Sequence, residues 1–451
     1  MASSDAKSSF LAKPHILDLF AGPGGLDVAA RMLEVPSLGI EWDKDACETR
    51  YKAGLDTWHG DVSAVRRHRF EELPKELNVL AGGPPCQTYS VAGSGAGRKA
   101  LDKVEELVHA LVEGAGEGEI DDRLKELGGD PRTALVLEPL RYAIKALRSP
   151  NRERRPFDVI VLEQVPAVKA LWDVYKDALE SGLPDGAGGK ARYRVAEVKT
   201  LHTEAYGVPQ TRRRAILIAR LAVHGTPSLP APTHHTYKPL NPTQGGPDDQ
   251  LLPAEGADGA LDSWVSMGKI FEATGHWPLD SGGPFEVRSN YGSGGDPKKR
   301  GVRTDRQPSF TVTGKVSRNV VLPRNGNEKD RRNLKIKEAG ILQTFPPDYP
   351  WSGGDQSQQV GNAVPPLFGM HVLAAALALP LPPEEKLREK WSGLEVGSAK
   401  YEALRKEGCG VPDGCGPDCP EPEAQSVSST ASKPKSKSRP RTGASAKRSE
   451  K

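Results

Sequence analysis

The stretch HILDLFAGPGGL, residues 15–26, decides the fold. Its first half is a mostly apolar run of strand length, and it breaks at Gly22, Gly24 and Gly25 into a helical pattern. A strand that turns on glycine into a helix opens a βαβ unit, and bare backbone there lets a ligand approach the helix amino end. Alone, such a turn is as readily an ordinary tight connection, so the ligand has to be named by residues elsewhere.

Outward from this turn the same rhythm repeats. SLGIEW (37–42), NVLAG (78–82), FDVIVLE (157–163) and RRAILIAR (213–220) are further strand-like runs separated by amphipathic stretches. The pattern predicts an α/β domain around a mixed, mostly parallel sheet. Val136, Leu140, Ile144 and Leu147 fall on one helical face. Segment 92–130, Gly-rich and then charged, reads as a mobile loop followed by a solvated helical insertion.

From about Val223 prolines and glycines crowd together, and periodicity fades until about Asn333, which marks a smaller, irregular lobe. Helical patterning returns in LKIKEAGILQTF (334–345) and again after Asn362, where the chain re-enters the first domain. The expected division is 14–221 for the first part of the main domain, 222–305 for the small lobe, 306–383 for the return, and 384–451 for a charged, largely disordered tail.

Composition bounds the function classes. The 451 residues are 37% hydrophobic and 27% charged with a formal charge of +3, and the mean hydropathy is −0.53. No apolar run approaches the roughly 20 residues of a membrane span, and MASSDAKSSF lacks the plan of a secretory signal, so a cytoplasmic protein without a membrane partner is expected. Five cysteines make no disulfide framework. Three of them, Cys409, Cys415 and Cys419, are irregularly spaced without a nearby His, so no metal site is expected.

Four constellations carry chemistry. After the Gly-rich turn comes Glu41, ending the next strand about 20 residues on, where a carboxylate can accept from ribose hydroxyls. Trp42 is placed to pack on a nucleoside ring and Asp61, in HGDV, to accept from an exocyclic amine. GGPPCQTYS (82–90) puts Cys86 on a loop behind two prolines, where a thiolate can act as a nucleophile. VLEQVP (161–166) places Glu163 at the carboxyl end of another strand, and in QTRRRAILIA (210–219) Arg212 and Arg214 alternate off a strand start, suited to phosphate or carbonyl recognition. Strand carboxyl ends of an open parallel sheet converge on one crevice, which gathers Gly22, Glu41, Asp61, Cys86 and Glu163.

DLFAGPGGL, GGPPCQTYS, LEQVP, QTRRR and QVGNAVPP (359–366), in this order, resemble the cytosine-5 DNA methyltransferase family in its bacterial-type, single-chain form. The resemblance covers roughly residues 14–221 and 306–376. It implies a Rossmann-like, S-adenosylmethionine-dependent methyltransferase domain with a smaller target-recognition domain. It makes Cys86 the nucleophile on carbon 6 of a flipped cytosine and Glu163, in a partly desolvated pocket, the group that holds or protonates ring nitrogen 3. Arg214 would bind the cytosine carbonyl, and Arg212 would contact DNA or brace the closed loop. Phe20, Gly22, Gly24, Gly25, Leu26, Glu41, Trp42, Asp61, Pro84, Asn362 and Val364 would line the cofactor pocket.

Gln87, Ser90 and Arg98 would meet the DNA, together with the basic end of the recognition segment: Arg288, Lys298, Lys299, Arg300, Arg303 and Arg306. The usual third motif is Glu-Asn-Val; here Gln164 replaces the Asn, which leaves the acid intact and puts only the local bracing in question. The expected partner is double-stranded DNA, acted on by a monomer. Three other readings stay open on sequence alone: the same chemistry on transfer RNA, a non-catalytic DNA-binding regulator, and a nicotinamide-dependent dehydrogenase, which leaves Pro-Pro-Cys-Gln unexplained.

Overall fold

The computed structural model describes residues 11, 13–85, 95–127, 131–151, 153–238, 261–280, 282–289, 301–324, 328–383 and 391–408. Strands β1 (Ile16–Leu19), β2 (Ser37–Glu41), β3 (Thr57–His59), β4 (Val79–Gly82) and β5 (Val159–Gln164) run parallel in the order β3-β2-β1-β4-β5. A short ribbon of β6 (Leu183–Pro184) and β7 (Lys190–Ala191) precedes β8 (Tyr193–Val195), β9 (Lys199–His202) and β10 (Arg213–Leu221). Strand β10 lies antiparallel to β5, and both β8 and β9 pair with β10. All five strand-like runs of the sequence form strands. They are apolar throughout because apolar clusters cover both faces of the sheet.

The return segment builds one of those faces. The helix Pro366–Leu377 lies against the helix Gly25–Met32, with Phe368, Met370 and Leu373 clustered with Leu26, Ala29 and Ala30. The stretch Gln356–Leu377 is apolar enough to match a membrane span by length and composition, but 78% of it is buried inside the protein. Arg220, near the end of β10, donates to the carbonyls of Ala375 and Ala376 and so closes the carboxyl end of this helix.

Two expectations need correction. The helix Gly95–Glu113 is not solvated: Val104, Leu107, Val108 and Leu111 form a buried stripe in the main core, a spacing hidden in the sequence by the charges around it. Arg66, wholly buried, holds the connection below by pairing with Glu117 and Glu138. Nor is the chain beyond 384 all tail, because the helix Ala399–Gly408 buries Tyr401 and Leu404 against Cys47 and Tyr51. Cys409, Cys415, Cys419 and the basic end fall outside the described residues.

The small lobe contains an antiparallel sheet in the order β12 (Gly301–Thr304), β11 (Phe285–Ser289), β13 (Asn319–Pro323), β14 (Arg332–Asn333). Its core also takes Met267, Phe271, Ile341, Leu342 and Val360. The sheet therefore crosses the boundary expected at residue 306: β11 on one side pairs with β13 on the other.

Beneath the crevice lies a buried charge cluster. Arg50 donates to Asp27 at 2.5 Å, to Thr57 Oγ1 at 2.9 Å and to the Asp56 carbonyl at 3.0 Å. Burial alone would lower the Arg50 pKa, but Asp27 and Asp18 carry it above the ordinary arginine value. Burial pushes the neighbouring Asp18 carboxyl well above the usual carboxylate range; Asp27 adds to this and Arg50 opposes it. Arg50→Met strands Asp27 without its partner and is expected to cost about 3–5 kcal/mol, read by denaturant unfolding. Because Asp18 has a raised folded-state pKa, folding takes up a proton. That stability is present in acid and is lost as pH rises from roughly 4 through the folded value. Asp18→Asn should remove this slope, so its stability relative to wild type increases with pH; parallel curves would count against it.

Candidate functional site

The carboxyl ends of the parallel strands share one edge, because Leu19 is in register with both Ile40 and Gly82, and Gly82 with Leu162. In the order β3-β2-β1-β4-β5 the strands are laid down to one side of β1 and then to the other, a switch point that opens the crevice of an α/β sheet there. Phe20 takes a left-handed backbone (φ 59°), an uncommon cost for a non-glycine residue, and so throws the chain into the Gly loop.

Each glycine of the loop has a different reason to be there. Gly22 (φ 54°) faces open space, so its backbone is accessible to a ligand. A Cβ on Gly24 would meet Leu55 Cδ1 at 2.2 Å, and one on Gly25 would meet the Val364 carbonyl oxygen at 2.2 Å. The return segment thus closes directly onto the loop, with Val364 partly buried and Asn362 exposed, its Oδ1 accepting from Gln358 Nε2. Leu26 points into the core, leaving only its backbone near the crevice.

Glu41 is 8% exposed and fixes the loop to the next strand. Its Oε2 accepts from Gly22 N at 2.7 Å, and its Oε1 accepts from Trp42 N at 2.8 Å and Asp43 N at 2.7 Å. Burial raises the Glu41 pKa, and the donating amides of Asp43 and Gly22 oppose the shift. A carboxylate has about four lone-pair positions, and three are taken, so one remains for a ligand hydroxyl where the sequence suggested two. Trp42 beside it is 63% exposed, an uncovered indole at a crevice edge. Asp61 caps the following turn through Ala64 N, and His59 Nε2 lies 3.1 Å from the Trp42 carbonyl.

On the other side of the crevice, Glu163 is 8% exposed and Arg214 Nε lies 2.5 Å from its Oε1. The antiparallel course of β10 makes this pair, since it begins where β5 ends. Gly83 leaves room for the acid, because a Cβ there would come within 3.2 Å of Glu163 Oε2. Gln164 performs the bracing left in question by its departure from Asn: Nε2 donates to the buried Pro84 carbonyl at 2.5 Å, tying β5 to the proline loop.

Arg212 was expected to act in catalysis, contacting DNA or bracing the closed loop. It precedes the strand, so the pleat that places Arg214 in the crevice does not govern it. It is 2% exposed and donates to the carbonyls of Val312 at 2.8 Å, Gly361 at 3.0 Å and Ala363 at 3.1 Å. Burial pulls its pKa well below the ordinary arginine value; Arg214 adds to this and Glu163 opposes it. Of the roles expected of it, this geometry is that of a brace, directed at the return segment. Gln210, quoted in the sequence motif but given no role there, accepts from Val312 N and donates to the Leu342 carbonyl and to Gln343 Oε1. Gln343 in turn donates to the Val360 carbonyl, a partnership between distant segments that no local pattern announces.

Of the expected DNA contacts, Cys86's neighbours Gln87 and Ser90 lie outside the described residues with Cys86 itself, as do Lys298, Lys299 and Arg300. Arg98 falls within the helix Gly95–Glu113, of which only the backbone is described at that point. Arg288 pairs with Glu286. Arg303 is held between the rings of Tyr237 and Phe310, at 4.6 and 4.5 Å, and donates to the carbonyls of Pro308 and Ser309, so it serves the lobe's own packing. Arg306 is exposed.

The model of the C-5 cytosine-specific DNA methylase family matches residues 15–113 and 189–377. The Type II methyltransferase M1.HphI of Haemophilus parahaemolyticus is 26% identical over 388 residues, which are 80% of this chain and 86% of the relative. The Type II methyltransferase M.SacI of Streptomyces achromogenes is 26% identical over 415 residues, 80% of this chain and 92% of the relative. Among solved structures, the Dnmt2 methyltransferase of S. pombe aligns with 81% of this chain and 99% of its own at 14% identity, with a TM-score of 0.47. Since the family match runs from the first strand through the helix that packs beneath the Gly loop, and takes in well over half of the chain, this protein belongs to the C-5 cytosine-specific DNA methylases and is a DNA (cytosine-5-)-methyltransferase.

Proposed function

We propose that the enzyme methylates carbon 5 of a cytosine extruded from a specific duplex sequence, using S-adenosylmethionine, with Cys86, Glu163 and Arg214 as its catalytic residues. The observation that carries this reading is the Glu163–Arg214 pair at the carboxyl edge of β5, beside the loop that leads to Cys86. A target carbon inside a stacked duplex is out of reach, so extrusion comes first and costs a few kcal/mol.

The Cys86 thiolate adds to ring carbon 6. Glu163 meets ring nitrogen 3, and Arg214 meets the carbonyl beside it, so charge pushed into the ring is neutralised where it gathers. Carbon 5 becomes nucleophilic and is methylated. Loss of its proton to a base then expels Cys86 and restores the ring.

S-adenosylmethionine supplies an activated methyl group. The residues present suit it: Gly22 leaves open space, Glu41 keeps one acceptor position for a ribose hydroxyl, and Trp42 offers an uncovered ring to adenine. Asp61 stands on the neighbouring strand end, and Asn362 and Val364 belong to the segment that closes on the loop. Segment 222–305, together with the strands that complete its sheet, is the part we assign to reading DNA sequence; Arg306 is its exposed cation among the described residues expected to contact phosphate.

The test is transfer of labelled methyl groups to unmethylated duplex DNA and, separately, to transfer RNA, with nucleoside mass spectrometry on both. We expect 5-methylcytosine in DNA alone, none with Cys86→Ala, and a kcat lowered roughly 10²–10⁴-fold with Glu163→Gln. Product in RNA alone would overturn the substrate, and full activity in Cys86→Ala the mechanism. Gln164→Ala frees the Pro84 carbonyl and should lower kcat on the order of tenfold, since it loosens the loop that leads to Cys86.

A further inference from the structure

The family match ends at residue 377, yet residues 391–408 are folded onto the main domain. Their contacts are concentrated behind one wall. The helix Ala399–Gly408 packs along β3, which leads into Asp61, and along the helix Lys44–Ala53, which follows directly on Glu41 and Trp42. Tyr401 is buried against Cys47, and Cys47 Sγ donates to the backbone carbonyl of Glu41 at 3.4 Å. The Tyr401 hydroxyl donates to Glu48 Oε1 at 2.6 Å on the same helix.

Ahead of the helix Ala399–Gly408, Leu394 N donates to the Lys52 carbonyl at 2.6 Å, while the Leu394 side chain covers Gly54, the left-handed residue that ends the helix Lys44–Ala53. Trp391 reaches the third element of the wall. Its ring stacks under the Arg31 guanidinium at 4.6 Å and lies 5.6 Å from Tyr349, whose hydroxyl donates to the Pro23 carbonyl inside the Gly loop. One segment thus backs the Gly loop, the Glu41–Trp42 strand end and the Asp61 strand end.

We propose that residues 391–408 form a strap that positions the cofactor-binding wall, with Tyr401 and Trp391 as its positioning residues; this rests on the assignment of that wall to S-adenosylmethionine. Neither residue reaches the crevice, so each acts through others: Tyr401 through Cys47 and Glu41, Trp391 through Tyr349 and Pro23.

The experiment compares the steady-state kinetics of the full chain with Tyr401→Ala and Trp391→Ala. The KM for S-adenosylmethionine should rise on the order of tenfold, as for other residues that act through a ligating group, with kcat at saturating cofactor and the KM for duplex DNA unchanged. Tyr401→Phe keeps the ring against Cys47 and should restore the cofactor KM. A lowered melting temperature with an unchanged cofactor KM would make the segment a stabiliser only and overturn the proposal.

Should the alanine variants fail to fold, hydrogen exchange of the wild-type chain decides. Saturating S-adenosylhomocysteine is expected to slow amide exchange in 399–408 as well as in the Gly loop, and protection of the loop alone would overturn the strap. Glu41→Ala separates the two assignments. If it binds cofactor normally, the pocket assignment fails and the strap with it; if it loses cofactor while Tyr401→Ala keeps the wild-type cofactor KM, the strap alone fails.

Discussion

A single desolvated cation holds the two ends of the catalytic domain together. Arg212 gives its guanidinium to Val312, Gly361 and Ala363, carbonyls that lie 100 to 151 residues further along the chain. Burying a charge is costly unless its hydrogen bonds are supplied, and here carbonyl dipoles supply them. Everything in the crevice depends on this tie. Ala363 leads straight into Val364, which closes on Gly25, and Arg214 stands two residues from Arg212 against Glu163. Gly loop, Glu163–Arg214 pair and small lobe are thereby tied to one buried side chain.

The crevice itself divides by electrostatics. On the Glu41 side, a buried carboxylate is satisfied by three amides and so is held rigid before any ligand arrives. On the Glu163 side, the acid has one close cation and a neighbouring glycine that keeps the space in front of it clear. The first arrangement suits binding, which needs a fixed shape. The second suits proton traffic, in which a carboxyl must meet a ring nitrogen directly. The buried Arg50 cluster ties Asp27, on the helix that follows the Gly loop, to the start of β3 at Asp56 and Thr57.

Local patterning made the main domain legible. The five strand-like runs have the two-sided burial of a parallel sheet, and the glycines of 22–25 mark the turn by backbone chemistry alone. Glu41, Glu163 and Arg214 were legible because they stand at strand ends, where position follows from topology. Partnerships across long separations were not: Gln210 with Gln343, Arg212 with three carbonyls, and Arg303 between two rings all depend on segments that approach only in the folded chain. Charge density misled twice. The helices 95–113 and 399–408 carry enough Lys, Arg and Glu to read as solvated, yet each has a narrow apolar stripe that the core takes up.

The sheet order has a consequence for synthesis on the ribosome. Glu163 finds Arg214 only when β10 has doubled back along β5, and the Gly loop is closed by a carbonyl at position 364. A chain growing from its amino end holds the Gly loop early but lacks its closing segment until residue 364 has been added. A chain stopped short of that point therefore cannot close the loop, whatever part of the sheet it has already formed.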